Sequence, residues 1–75
     1  MKDLVLYLVR GLANEPDRVE ASEREDDDGV TVELTVAEND KGRVIGKQGK
    51  VIKAIRAVVG AAAAKAGKRS AVDVE

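Results

Sequence analysis

Two glycines separated by Lys47 and Gln48, with an apolar pair on each side, are the residues of this 75-residue chain whose types and spacing could do chemistry. They stand in the stretch Val44-Ile45-Gly46-Lys47-Gln48-Gly49-Lys50-Val51-Ile52. Without a Cβ, each glycine lets the backbone turn sharply and approach a ligand closely. A helix beginning behind the second glycine offers amide N–H groups that lack intrahelical partners, and the positive end of its dipole. With Lys47 as a point charge and Gln48 as a hydrogen-bonding tip, the combination is a grip for phosphate. Arg43, Lys50 and Lys53 add positive potential around it. Gly-x-x-Gly alone suits a tight turn between two helices equally well, so its meaning depends on its surroundings.

Other chemistries fit poorly. Asp26-Asp27-Asp28-Gly29 places carboxylates side by side rather than in the alternating pattern of a calcium loop, and reads as a solvated hairpin turn with no metal. The chain has no Cys and no His, which removes disulfides, thiolate chemistry, the usual zinc sites and histidine acid–base catalysis. A Walker loop requires Gly-x-x-x-x-Gly-Lys followed by Ser or Thr, but Gly42 and Gly46 are one residue too close and Gln48 follows Lys47. No Gly-x-Gly-x-x-Gly is present either. The expectation is a protein that is not an enzyme and has no cofactor and no small-molecule substrate. One Tyr, with no Trp or Phe, also leaves no platform for stacking successive bases.

The elements that would position the loop come from a short and strongly polarised chain. Residues 1–40 carry four basic side chains against twelve acidic ones, a net charge of −8. Residues 41–75 carry nine basic against two acidic, a net charge of +7. Such a division suits one face that meets a polyanion and another that stays in solvent, unless the halves neutralise each other in the fold. The length allows one domain over residues 1–75, built on Val, Leu, Ile and Ala. The apolar runs are far too short to span a bilayer and no signal-peptide pattern is visible, so no membrane contact and a cytoplasmic location are expected.

Residues 2–13 read as a helix with Leu4, Val5, Leu8, Val9 and Leu12 on the core side. Leu6 and Tyr7 fall outside that stripe, and are either a partner surface or half-exposed flanking residues. Pro16 ends this helix. Residues 18–25 alternate weakly, as a polar edge strand with Val19 and Ala21 inward, whereas residues 30–36 alternate cleanly and bury Val30, Val32, Leu34 and Val36. Asn39 or Asp40 is placed to cap a short helix through Val44-Ile45. A longer helix follows from Gly49 to Ala66, ending at Gly67, with Val51, Ile52, Ile55, Val58, Val59 and Ala62 toward the core and Lys50, Lys53 and Arg56 opposite. Gly60 weakens that helix, and the neighbouring alanines offset the loss. Residues 69–75 close the sheet as a last strand.

The order α-β-β-α-α-β, with Val-Ile-Gly-Lys-Gln-Gly-Lys-Val-Ile between its second and third helices, resembles the type II KH domain. The chain's length, its Ala-rich helix and the Gly67-Lys68-Arg69 exit resemble the small single-domain KhpA family. This resemblance implies an α+β fold with a three-stranded sheet packed against three helices. It also implies a bacterial single-stranded RNA-binding protein, a post-transcriptional regulator or RNA chaperone. Partnership with a second copy or with a larger KH-containing protein is implied as well. By motif position, Gly46, Lys47, Gln48 and Gly49 would hold the RNA backbone. Val44, Ile45 and Ile52 would form the apolar support and groove floor, and Arg43, Lys50 and Lys53 would attract the strand. The rival reading is a protein-interaction module working through Leu6, Tyr7 and the Ala-rich helix, with little direct RNA binding.

Overall fold

The computed structural model describes residues 1–75. Helix α1 (Lys2–Leu12) leads through a 3-10 turn (Pro16–Arg18) into β1 (Glu20–Glu25) and β2 (Gly29–Thr35). A second 3-10 turn (Glu38–Asp40), helix α2 (Lys41–Ile45), the glycine loop, helix α3 (Lys50–Lys65) and β3 (Arg69–Val74) complete the chain. The sheet has the order β1-β2-β3, with β1 antiparallel and β3 parallel to β2. The α-β-β-α-α-β order and the α+β class are therefore as the type II KH resemblance implies.

Alternation along β2 sends Val30, Val32 and Leu34 into the core, joined by Val36 just beyond the strand. Their partners are Val5 and Val9 of α1, Val44 of α2, Ile52, Ile55 and Val59 of α3, and Val72 of β3. The core is almost wholly β-branched aliphatic, as a chain without Phe or Trp requires. The hairpin turn is closed by Asp26, whose carboxylate accepts the backbone N–H groups of Asp28 and Gly29. Gly29 is required there: a Cβ would stand 2.3 Å from the carbonyl oxygen of Arg69 on β3.

Several local expectations are corrected. The first strand begins at Glu20 rather than at residue 18, because Pro16 starts a 3-10 turn through Arg18. Val19 is buried all the same, as the linker between that turn and the strand. On α3 the buried line is Ile52, Ile55, Val59 and Ala63, so Ala63 replaces Ala62 and Val58 lies outside at 47% exposure. Leu12, placed in the core stripe of α1, is likewise exposed. Gly60 faces β3 without crowding, a Cβ meeting Ser70 Oγ at an ordinary 3.7 Å.

Asp40 precedes α2 but makes no side-chain cap to that helix. Its carboxylate is fully buried and reaches back across the chain, accepting the backbone N–H of Asn14 on Oδ1 and of Glu15 on Oδ2, each at 3.0 Å. A charged acceptor with two amide donors is a strong arrangement for a buried group. It ties the exit of α1 to the entry of the helix that carries the glycine loop.

Candidate functional site

The turn between α2 and α3 is built from left-handed backbone. Gly46 sits at φ 79°, ψ 170°, Gln48 at φ 57°, ψ 26° and Gly49 at φ 74°, ψ 16°. The Gly46 conformation is accessible to glycine almost alone. A Cβ there would also lie 2.4 Å from Val51 Cγ2 and 2.7 Å from the Val51 nitrogen, so the first glycine lets the loop fold directly onto the start of α3. Gly49 is more tolerant, since its Cβ would meet Ile52 and Lys53 only at 3.9 Å. Gln48 is the sole non-glycine residue of the chain with positive φ. Strain of this kind is retained where the surrounding structure requires a particular backbone path.

Lys47 and Gln48 are exposed at the tip, as expected. Gly49 is the N-cap of α3 and no side chain caps that helix. Within the loop the Gly49 N–H donates to the Gly46 carbonyl at 3.1 Å and the Lys50 N–H to the Lys47 carbonyl, so the amides beyond Lys50 are the ones the missing cap leaves open. The Lys53 stem folds back toward Gly49, which brings a further ammonium group to the loop. Arg43 and Lys50 are also exposed. The three apolar residues divide: Val44 and Ile52 are enclosed in the core and support the loop from beneath, whereas Ile45 is 40% exposed and available to a ligand.

Folding does not cancel the charge division seen in the sequence. Only Lys41, paired with Glu38 at 3.1 Å, and Lys68, paired with Glu25, join basic residues of the second half to carboxylates. Arg43, Lys47, Lys50, Lys53 and Arg56 have no carboxylate partner. The Arg43 charge contributes to holding the Asp40 carboxyl below its usual range, after the larger effects of the Asn14 and Glu15 amides and against the opposing effect of burial.

Sequence reasoning left Arg56 outside the site, although its spacing from Lys53 was a signal. Gly49, Lys53, Arg56 and Gly60 follow at i, i+4, i+7 and i+11 and share one face of α3. That face borders β3, an edge strand, where Arg56 Nε donates to the Val72 carbonyl at 3.1 Å. On the opposite flank of α3, Leu8 and Leu12 of α1 and Val51, Ala54, Ile55 and Val58 line an apolar hollow, with Lys50 at its rim. Tyr7, 79% exposed, lies round the surface of α1 beside Leu6, Arg10 and Gly11. Leu6 itself is half-buried. No helix is long and apolar enough to cross a membrane.

Comparison with known proteins gives a consistent picture. The family model "KhpA/KhpB, KH domain" matches residues 2–74. The RNA-binding protein KhpA of Clostridium acetobutylicum is 45% identical over 74 residues, covering 99% of both chains. That of Halalkalibacterium halodurans is also 45% identical, over 99% of this chain and 97% of the relative. Among solved structures, an Aquifex aeolicus Era variant bound to GDP and AlF4 superposes with a TM-score of 0.66 at 20% identity. A complex of Era with MgGDPNP and nucleotides 1506–1542 of 16S ribosomal RNA superposes at 0.58, also at 20% identity. In each case 97% of this chain matches 28% of the Era chain, which is a likeness of fold.

Proposed function

The chain belongs to the KhpA/KhpB KH-domain family, and we propose that its RNA-binding function is carried by the Gly46–Gly49 loop gripping the backbone of single-stranded RNA. Lys47 and Gln48 contact phosphate or sugar oxygens, Arg43, Lys50 and Lys53 attract the strand, and Ile45 offers it an apolar surface. Val44 and Ile52 support the loop from the core. The observation that carries this reading is a left-handed backbone path at Gly46, Gln48 and Gly49, leading into an uncapped helix and ringed by cations without carboxylate partners. No catalytic chemistry enters the proposal. The protein acts in the bacterial cytoplasm as a post-transcriptional regulator or RNA chaperone.

Membership of the KH family implies a footprint of about four nucleotides. With roughly three phosphates engaged, log affinity falls against log salt with a slope of about −2. Fluorescence anisotropy with short single-stranded RNA pools tests the loop. The double variant Lys47→Asp/Gln48→Asp, shown to be folded by circular dichroism, is expected to lose at least tenfold in affinity, because it sets two negative charges where phosphate lies. Equal binding by the folded variant and the unsubstituted protein would refute the assignment.

A second reading, compatible with the first, is self-association. It is favoured by the apolar hollow between α1 and α3, which no other part of the chain covers. One weak RNA site per copy also gains avidity when two copies are joined. We assign the second copy to this hollow; Leu6 and Tyr7 lie on a separate surface of α1.

A further inference from the structure

We propose that Arg56 is a specificity-determining residue of the RNA surface: its guanidinium takes a base that presents two adjacent hydrogen-bond acceptors. Guanine does so through O6 and N7, and cytosine through O2 and N3. The inference rests on the RNA-binding reading above and adds a base-recognition element that the loop does not supply.

The argument begins with where Arg56 is held. It lies on the face of α3 shared with Gly49 and Lys53, about 10 Å along the helix axis from the loop at 1.5 Å per residue. Beside it runs β3, whose outer side has no neighbouring strand. The Val72 carbonyl accepts Arg56 Nε at 3.1 Å, and this is the one hydrogen bond the Arg56 side chain makes. Neither Nη has a carboxylate partner. One donor is thus spent fixing the guanidinium plane, and the two-pronged end remains free.

A fork oriented in advance loses less freedom on binding than a mobile surface cation, and its geometry matches a pair of adjacent acceptors. Were the side chain only a strap for an edge carbonyl, a single donor would suffice. A phosphate is the other ligand such a fork could take. The phosphate-holding chemistry is already concentrated at Gly46–Gly49, with Lys47, Lys50 and Lys53 around it. A strand whose backbone is held at that loop can lay a base along α3 toward β3, where Arg56 waits. Single-stranded RNA is read in this way, on Watson–Crick and Hoogsteen edges and with arginine guanidinium groups. Adenine and uracil place a donor next to each acceptor on those edges, so the fork discriminates against them. A good bidentate contact is worth about tenfold in discrimination or more.

The test uses anisotropy with short oligo(U) strands carrying one G or one C at successive positions, which separates the two bases. The unsubstituted protein is expected to prefer G or C at one position by about tenfold. Arg56→Lys, which keeps the charge, and Arg56→Gln, which removes it, are both expected to erase that preference. A shallower salt slope for Arg56→Gln by about 0.7, with all sequences weakened equally, would instead identify a phosphate contact and overturn the proposal. So would retention of the preference by both folded variants, or its absence from the unsubstituted protein. NMR of the unsubstituted protein gives a readout independent of variant folding. The Arg56 Nη–H signals should sharpen and shift with the preferred strand and not with oligo(U) alone, and an identical response to both strands would refute the idea. If the unsubstituted protein binds none of these RNAs, the RNA-binding reading itself falls and this inference falls with it. Binding without a role for Arg56 removes this inference alone.

Discussion

The two loop glycines look equivalent as letters and are unequal as structure. Gly46 combines a backbone conformation almost closed to other residues with a Cβ position already filled by Val51. Gly49 is left-handed, but its Cβ would have room. Gly46→Ala should therefore destabilise the protein by about 3 kcal/mol, toward the upper end for such backbone strain, and disturb the start of α3. Gly49→Ala should cost about 1 kcal/mol. Urea denaturation of the two variants measures the ranking, and equal midpoints would contradict the geometry. The need for glycine at both positions was legible in the sequence from the Gly-x-x-Gly spacing. Gln48 was not: nothing in its side chain announces positive φ, which it adopts because it is enclosed between two glycine turns. Its conformation joins the loop's chemistry to its shape, since the exposed tip residue is also the strained one.

At the scale of elements, Asp40 fixes how α2 is set against the exit of α1. Its carboxylate accepts the Asn14 and Glu15 amides, and these two bonds hold its pKa below the ordinary aspartate value of 3.8 despite burial. A folded-state pKa lower than the unfolded one means that the folded protein binds the proton less readily. The resulting stability is fully present above about pH 4 and is lost as pH falls through the depressed folded value. Asp40→Asn keeps the shape but turns an amide NH2 toward a backbone N–H donor. The variant is expected to have a lower urea midpoint at pH 7, with the gap from the unsubstituted protein narrowing as the buffer is taken toward pH 3. A gap independent of pH would show that the charge is not what matters.

Sequence reading offered Asn39 or Asp40 as a side-chain cap of α2; Asp40 stands at the start of that helix but does not cap it, because the partners of its carboxylate are 25 and 26 residues away. The same limit explains α3. Periodicity identified an apolar arc broad enough to include Val58, and only the packed molecule shows that the sheet covers the side through Ile52, Ile55, Val59 and Ala63. The alternation of β2 needed no such help, since a strand sandwiched between neighbours and covered by helices reads directly as buried every second residue. Likewise, i+3 spacing put Arg56 on the basic flank with Lys53, but its bond to Val72 belongs to the tertiary structure.

For the whole molecule, the two flanks of α3 divide the work. One runs from the glycine loop through Lys53 and Arg56 beside β3, and the other carries the apolar hollow shared with α1. Lys50 stands at the rim of the hollow, but Lys53 and Arg56 lie on the other side of α3, so a second copy can cover the hollow without closing that flank. Val58 and Leu12, 47% and 39% exposed, face solvent there, and covering the exposed half of the valine side chain contributes roughly 1 kcal/mol. Val58→Glu would place a carboxylate in the centre of that contact and should convert an associated species to monomer across the micromolar range. Tyr7→Glu, outside the hollow on the other surface of α1, should weaken association less. Multi-angle light scattering decides between the positions. A monomeric unsubstituted protein would remove self-association, and dissociation by Tyr7→Glu with Val58→Glu unaffected would move the interface to the outer surface of α1. RNA anisotropy on the same samples then tests the separation: a folded Val58→Glu monomer should retain the salt slope of a single site while losing the avidity of the joined pair, because the slope counts phosphates per site and avidity counts sites per assembly.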